Sequence, residues 1–173
     1  MKYAVFLRAI NVGTTNRVKM ADLRLWCESL GFTRVGTHLQ SGNILLEAEL
    51  TDPEAVAVQL EVMLSKRGFK NCSAIVRTEA QMRDLLALEP FTNAKDGVRY
   101  VVLLRAPATL ELPALPPKAN LELIGRTRDA VFLWGERGLS HDVGFVQKKL
   151  EVSATVRYWS VVKAMGELLL ETT

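Results

Sequence analysis

The sequence predicts an α+β fold made of two related halves, and three observations carry that expectation. Between Tyr3 and Arg77, short apolar strand-forming runs alternate with amphipathic helical stretches in the order β-α-β-β-α-β. Residues 3–10, YAVFLRAI, return as residues 100–107, YVVLLRAP, with Tyr, Val, Leu, Arg and Ala in place, which points to an internal duplication. The chain of 173 residues is 49% hydrophobic and 24% charged, the balance of a packed soluble protein and the length of one ordinary domain or two small ones.

In Tyr3–Leu7, Tyr3, Val5 and Leu7 share one face and Ala4, Phe6 and Arg8 the other. Both faces are mostly apolar, so this strand is expected to be covered on both sides. A polar loop, Asn11–Arg17, leads into a helix over Met20–Leu30, whose buried stripe is Met20, Leu23, Cys27 and Leu30. Gly31 ends it, because glycine takes the left-handed conformation cheaply. A strand at Thr33–Leu39 turns at Ser41-Gly42-Asn43 into Ile44–Glu47. Asp52-Pro53-Glu54 opens a second helix with a cap, a first-turn proline and a first-turn acid. Val56, Leu60, Met63 and Leu64 form its stripe, Gly68 closes it, and Cys72–Arg77 is a fourth strand. With right-handed crossovers this order gives a ferredoxin-like two-layer sandwich.

Thr78 and Gln81 have the spacing of a capping box, with Met82, Leu85 and Leu86 following, so a helix joins the halves ahead of the loop Glu89–Gly97. Beyond Arg105 come a proline-rich stretch with a short helix within 106–117, strands at Asn120–Arg126 and Ala130–Trp134, and helices near 143–150 and 156–170, with no closing strand. The expected organisation is a ferredoxin-like subdomain over 1–77, a linking helix and loop over 78–97, and a second α+β subdomain over 98–173 ending in a helix. The second apolar face of each sheet then requires a cover, from the other half or from another chain.

Net charge is +3 with a pI near 9.0, which permits an anionic partner without demanding one. No apolar run approaches the roughly 20 residues that span a bilayer, and the N-terminus does not read as a signal peptide. Cys27 and Cys72 set no disulfide framework, so a reducing cytoplasm is the expected setting, and Cys27 in its apolar stripe is expected to be structural. His38 and His141 with these cysteines offer no zinc spacing, and His141 between Ser140 and Asp142 is not a triad, so no metal, cofactor or catalytic residue is assigned.

In a ferredoxin-like topology Asn11–Lys19, His38–Asn43 and Lys66–Asn71 converge at one edge of the sheet. There Arg8, Asn11, Asn16 and Lys19 are expected to hold an anion beside the first helix's N-terminus, with Gln40, Ser41 and Asn43 orienting the rest. The same residue types also build turns and caps, and the loop lacks the Gly-Lys-Ser/Thr of a phosphate-binding P-loop. Arg157 is a second candidate. With Thr155 as cap it falls in the first turn of the last helix, where a cation opposes the dipole and calls for an acid or an anion. The leading reading is therefore a soluble protein, either a binder or an enzyme without a covalent nucleophile, that takes a small phosphate- or carboxylate-bearing ligand at loops 11–19 and 38–43. One alternative is a nucleic-acid-binding module using Arg17, Lys19, Lys66, Arg67 and Lys70, although Ile44–Glu47 lacks the aromatics on which an RNA-recognition sheet stacks bases. Another is a structural protein whose duplicated sheets serve assembly.

Phe6–Gly13 (FLRAINVG), Lys19–Leu23 (KMADL), Leu30–Phe32 (LGF), Leu39–Glu47 (LQSGNILLE) and Ala154–Trp159 (ATVRYW) together resemble the bacterial domain of unknown function 1697 family. The chain departs from the family's pattern at Thr14, where a second glycine is usual, and at Val156-Arg157-Tyr158-Trp159, where Thr-Arg-Asn-Trp is usual. The resemblance implies a soluble bacterial α+β protein with a ferredoxin-like part, and it implies no activity.

Overall fold

The computed structural model describes residues 1–94, 96–108, 121–135 and 151–171. In the first sheet the most apolar strand takes the most enclosed place. β1 (Lys2–Arg8) is buried from Tyr3 to Leu7 and runs between β3 (Asn43–Glu47) and β4 (Ser73–Thr78), antiparallel to both. β2 (Thr33–His38) is the outer strand beside β3, giving the order β2-β3-β1-β4. Tyr3, Val5 and Leu7 pack with Leu23 and Cys27 of α1 (Met20–Glu28) and with Val56, Leu60 and Leu64 of α2 (Pro53–Lys66), as the stripes predict. Ala4 and Phe6 on the other face are buried too. Asp52 caps α2 by accepting from the Glu54 N–H at 3.0 Å. The capping box of α3 (Glu79–Ala87) is reciprocal: the Gln81 N–H donates to Thr78 Oγ1 at 3.2 Å, and the Thr78 N–H to Gln81 Oε1 at 2.9 Å.

The second sheet contains β5 (Val98–Leu104), β6 (Leu121–Arg126), β7 (Ala130–Gly135) and β8 (Ala154–Tyr158) in the order β6-β7-β5-β8. It repeats the first sheet in register as well as in order. Tyr3 lies between Leu46 and Thr78, and Tyr100 between Leu133 and Tyr158. The outer strands β2 and β6 both shift register just before a glycine, Gly36 and Gly125. Two similar four-stranded halves are what a duplication leaves.

One expectation is overturned. The second half does have a closing strand. Thr155 does not cap a helix, and Arg157 does not lie in a first turn, because Ala154–Tyr158 is β8 and α4 begins at Trp159 (Trp159–Glu171). Thr155 and Val156 are β-branched residues that suit a pleated strand, and pairing with β5 decides the matter. The helix expected near 143–150 lies outside the described residues, as does most of the short one within 106–117. Two compact units result: Met1–Leu86 with the chain from Met165 onward, and Ala87–Ala164.

Candidate functional site

At the end of the first sheet where β1 stops, three loops are tied together by asparagine side chains. Asn11 Nδ2 donates to the carbonyls of Val18 (3.0 Å) and Gln40 (2.8 Å), while its Oδ1 accepts from the Val18 N–H at 2.8 Å. Asn16 Nδ2 donates to the carbonyls of Ala9 and Lys70, both at 2.8 Å, and its Oδ1 accepts from the Lys70 N–H at 3.1 Å. Asn43, fully buried, donates to the His38 carbonyl (2.8 Å) and to Ser41 Oγ (3.0 Å). These amides satisfy backbone groups that the turns leave without partners. The backbone here is bent hard: Ala9, Asn11, Asn16, Leu39 and Asn71 all have φ between 48° and 60°. For Ala9 and Leu39 this conformation costs on the order of 1–2 kcal/mol each, which the asparagine bonds help to offset. Gly42, at φ 75°, is required by space as well, since a Cβ there would lie 2.9 Å from that of Leu7.

The expected site residues divide by sheet face. Arg8 has the parity of Ala4 and Phe6, so it projects from the face opposite α1 and α2, with Ser73 directly across on β4. Asn43, opposite Phe6, shares that face, and Ser41 is joined to Asn43. Asn11, Asn16 and Gln40 instead frame the rim. Lys19 sits at the N-cap of α1, exposed and without a side-chain capping bond. Arg157 belongs to the other unit. Its Nη1 donates to Thr155 Oγ1 (2.7 Å) and to the Val156 carbonyl (2.8 Å), and burial pushes its pKa down to about 10.

On this face of the sheet Arg8 has charge to spare. It is half-buried, yet among the described residues its guanidinium makes no hydrogen bond and no ion pair. Its field is felt at Cys72: burial pushes that thiol above its ordinary value, Arg8 pulls it back, and Glu61 adds to the rise. By contrast, a cavity of about 320 Å³ at the start of β1 is lined by Lys2, Glu79 and Arg83, whose charges are already matched: Glu79 lies 3.9 Å from Lys2 Nζ and 2.9 Å from Arg83 Nη2. Among the described residues no group of three His, Cys, Asp or Glu is placed to hold a metal ion, and no helix is long and apolar enough to cross a membrane.

Two features escaped the sequence reading. Ser73, opposite Arg8, was passed over. So was Arg77, which lies opposite Ala4 as Arg157 lies opposite Val101, and which bonds the preceding carbonyl as Arg157 does. The signal was present: Ser73–Thr78 reads SAIVRT and 153–158 reads SATVRY.

The family described as protein of unknown function (DUF1697) matches residues 1–126. No curated protein matches the chain. Among solved structures, a conserved bacterial protein from Streptococcus pneumoniae is similar, with a TM-score of 0.69 and 20% identity over 97% of this chain and 98% of that one. At that identity the likeness shows the fold.

Proposed function

The chain belongs to the protein family of unknown function DUF1697, and from that premise, which prescribes no chemistry, we propose that it binds a small phosphate- or carboxylate-bearing anion at the Arg8 end of the first sheet. The observation that carries this reading is Arg8 itself, a half-buried guanidinium without a hydrogen-bonding or ionic partner among the described residues. Such a group presents a planar fork that matches carboxylate and phosphate oxygens two at a time. Ser73 stands across from it, Asn43 shares its face of the sheet and is joined to Ser41, and Lys19 at the start of α1 adds positive charge to the same end of the unit. Asn11, Asn16 and Gln40 hold the loops in place around it. Two free thiols suit a reducing compartment such as the cytoplasm.

The test is a thermal-shift and calorimetric screen against inorganic phosphate, sugar phosphates, nucleotides and small dicarboxylates. A ligand specific to the folded state adds about 2.7 kcal/mol at a hundred times its Kd. Arg8→Ala is expected to abolish the shift, and Arg8→Lys to weaken binding at least tenfold, because an ammonium offers no fork. Alkylation of Cys72 supplies a second readout, since an anion on Arg8 cancels the field that lowers the thiol's pKa and so slows the reaction. The proposal fails if no anion raises the midpoint, or if Arg8→Ala keeps the shift.

A further inference from the structure

Beside the Arg8 site, on the helix side of the same sheet end, lies a surface with a different character. The Asn16 clamp on the Lys70 backbone binds the loop before α1 to the loop after α2. It thereby gathers Arg17 and Lys19 from one segment with Lys66, Arg67 and Lys70 from the other, all exposed. Residues 9–20 and 66–72 contain no acid. Elsewhere on this unit surface cations sit beside carboxylates: Lys2 and Arg83 with Glu79, Arg24 with Glu28, Arg34 with Glu47. Here Lys19, Lys66 and Lys70 make no ion pair and no side-chain hydrogen bond among the described residues. Like charges held together by a built clamp, while those nearby are neutralised, mark a surface made for a polyanion.

An aromatic and guanidinium patch lies among them, exposed at Arg67 and partly buried at Trp26 and Phe69, which also pack against the core. The Arg67 guanidinium stacks 4.7 Å from the centre of the Trp26 ring, and Phe69 meets Trp26 edge-on at 5.8 Å. Guanidinium planes and indole rings are surfaces on which unpaired bases stack, and stacking tolerates any sequence because every base has a π-face. A duplex keeps its bases stacked on one another and out of reach of such a platform. The strand face used by RNA-recognition sheets is not the platform here, since β3 (NILLE) carries no aromatic residue.

We infer that this face binds single-stranded nucleic acid without sequence preference, with phosphates against Lys19, Lys66 and Lys70 and a base stacked on the Arg67–Trp26 pair. The inference does not rest on Arg8, which projects from the opposite face of the sheet.

The experiment is fluorescence anisotropy of a labelled twelve-nucleotide uridine RNA titrated with the full chain, with heparin as a polyanion that has no bases. Micromolar binding at low salt is expected, with a log–log salt slope of about −0.7 per phosphate contact, hence near −2 for three. Lys66→Glu/Lys70→Glu should weaken RNA binding at least tenfold. Trp26→Ala, whose fold is checked by circular dichroism, should weaken RNA at least fivefold and leave heparin unmoved. An absence of RNA binding at 50 mM salt, or a slope shallower than −1, overturns the inference, and so does a Trp26→Ala variant that binds RNA as wild type does. Because Arg8→Ala tests small-anion binding and Lys66→Glu/Lys70→Glu tests RNA, the two proposals fail separately.

Discussion

At the scale of single residues, Cys27 shows how burial becomes a pH dependence. Its side chain is fully enclosed between helix and sheet, and desolvation, reinforced by Glu28, pushes its pKa from 9.0 up to about 12. A thiol whose folded pKa lies above its unfolded value binds more protons in the folded state between those two values. Its contribution to stability is therefore whole below pH 9 and is lost as pH rises from 9 towards 12, at about 1.4 kcal/mol per pH unit. Urea denaturation at pH 8, 9.5 and 10.5 is expected to show this slope in wild type and a shallower one in Cys27→Ala, which starts from a lower stability because of the cavity it opens. Equal slopes in the two proteins would remove Cys27 as the cause. The same scale explains why the candidate site was only partly legible. Asn11, Asn16 and Asn43 are turn-forming polar residues whether they hold a ligand or a neighbouring carbonyl such as that of Gln40, and one-dimensional sequence does not say which carbonyl is near. Asn16 finds Lys70, 54 residues away. That Arg8 lacks a partner among the described residues is likewise a property of what surrounds it in space.

At the scale of elements, the sequence spoke plainly where local chemistry decides. Asp52-Pro53, Thr78 with Gln81 and the stripe of α1 announced caps and faces that the fold contains. It misled where partner strands decide. Residues 156–158 read as the first turn of the last helix because Thr155 is a plausible cap and apolar residues follow at helical spacing. As a strand beside β5, the same segment pairs Val156 with Val102 and Thr155 with Leu103. Register also gives a glycine its meaning. Gly97, just ahead of β5, lies so close to β7 that a Cβ would stand 2.5 Å from Trp134 Nε1 and 2.8 Å from the Gly135 carbonyl. Neither a ring held in a sheet nor a backbone oxygen yields cheaply, so Gly97→Ala should cost about 1–3 kcal/mol. Gly125→Ala in the same unit, where a Cβ would meet nothing within 4 Å among the described residues, serves as the control and should cost much less. Chemical denaturation of both variants checks the ordering, and a Gly97→Ala protein as stable as Gly125→Ala would contradict the close approach.

At the scale of the whole molecule, the duplication is plain in β1 and β5 and harder to align in the last strands, even though SAIVRT returns as SATVRY, because the spacing between equivalent residues changes along the chain. Gly36 matches Gly125, Asn43 matches Ala130 and Ser73 matches Ser153, each at a different offset from the Tyr3–Tyr100 pair. The repeat is not two beads in sequence, however, since the chain from Met165 onward groups with Met1–Leu86. In that unit Gly166 lies against Leu86 and Met82 of α3, and Met165 and Leu169 are buried. A chain ending at Ala164 therefore loses two core side chains from the first unit, each worth about 2–5 kcal/mol when removed from a packed interior. That loss is comparable to the roughly 5–15 kcal/mol that holds an ordinary domain folded. Hydrogen exchange should then reveal an unequal effect. Amides of β1, β3 and β4 would lose most of their protection, while those pairing β5 with β7 and β8 would keep more of theirs. Protection lost evenly from both sheets would mean that the final helix stabilises the halves alike, and the division of the chain at Ala164 would have to be redrawn.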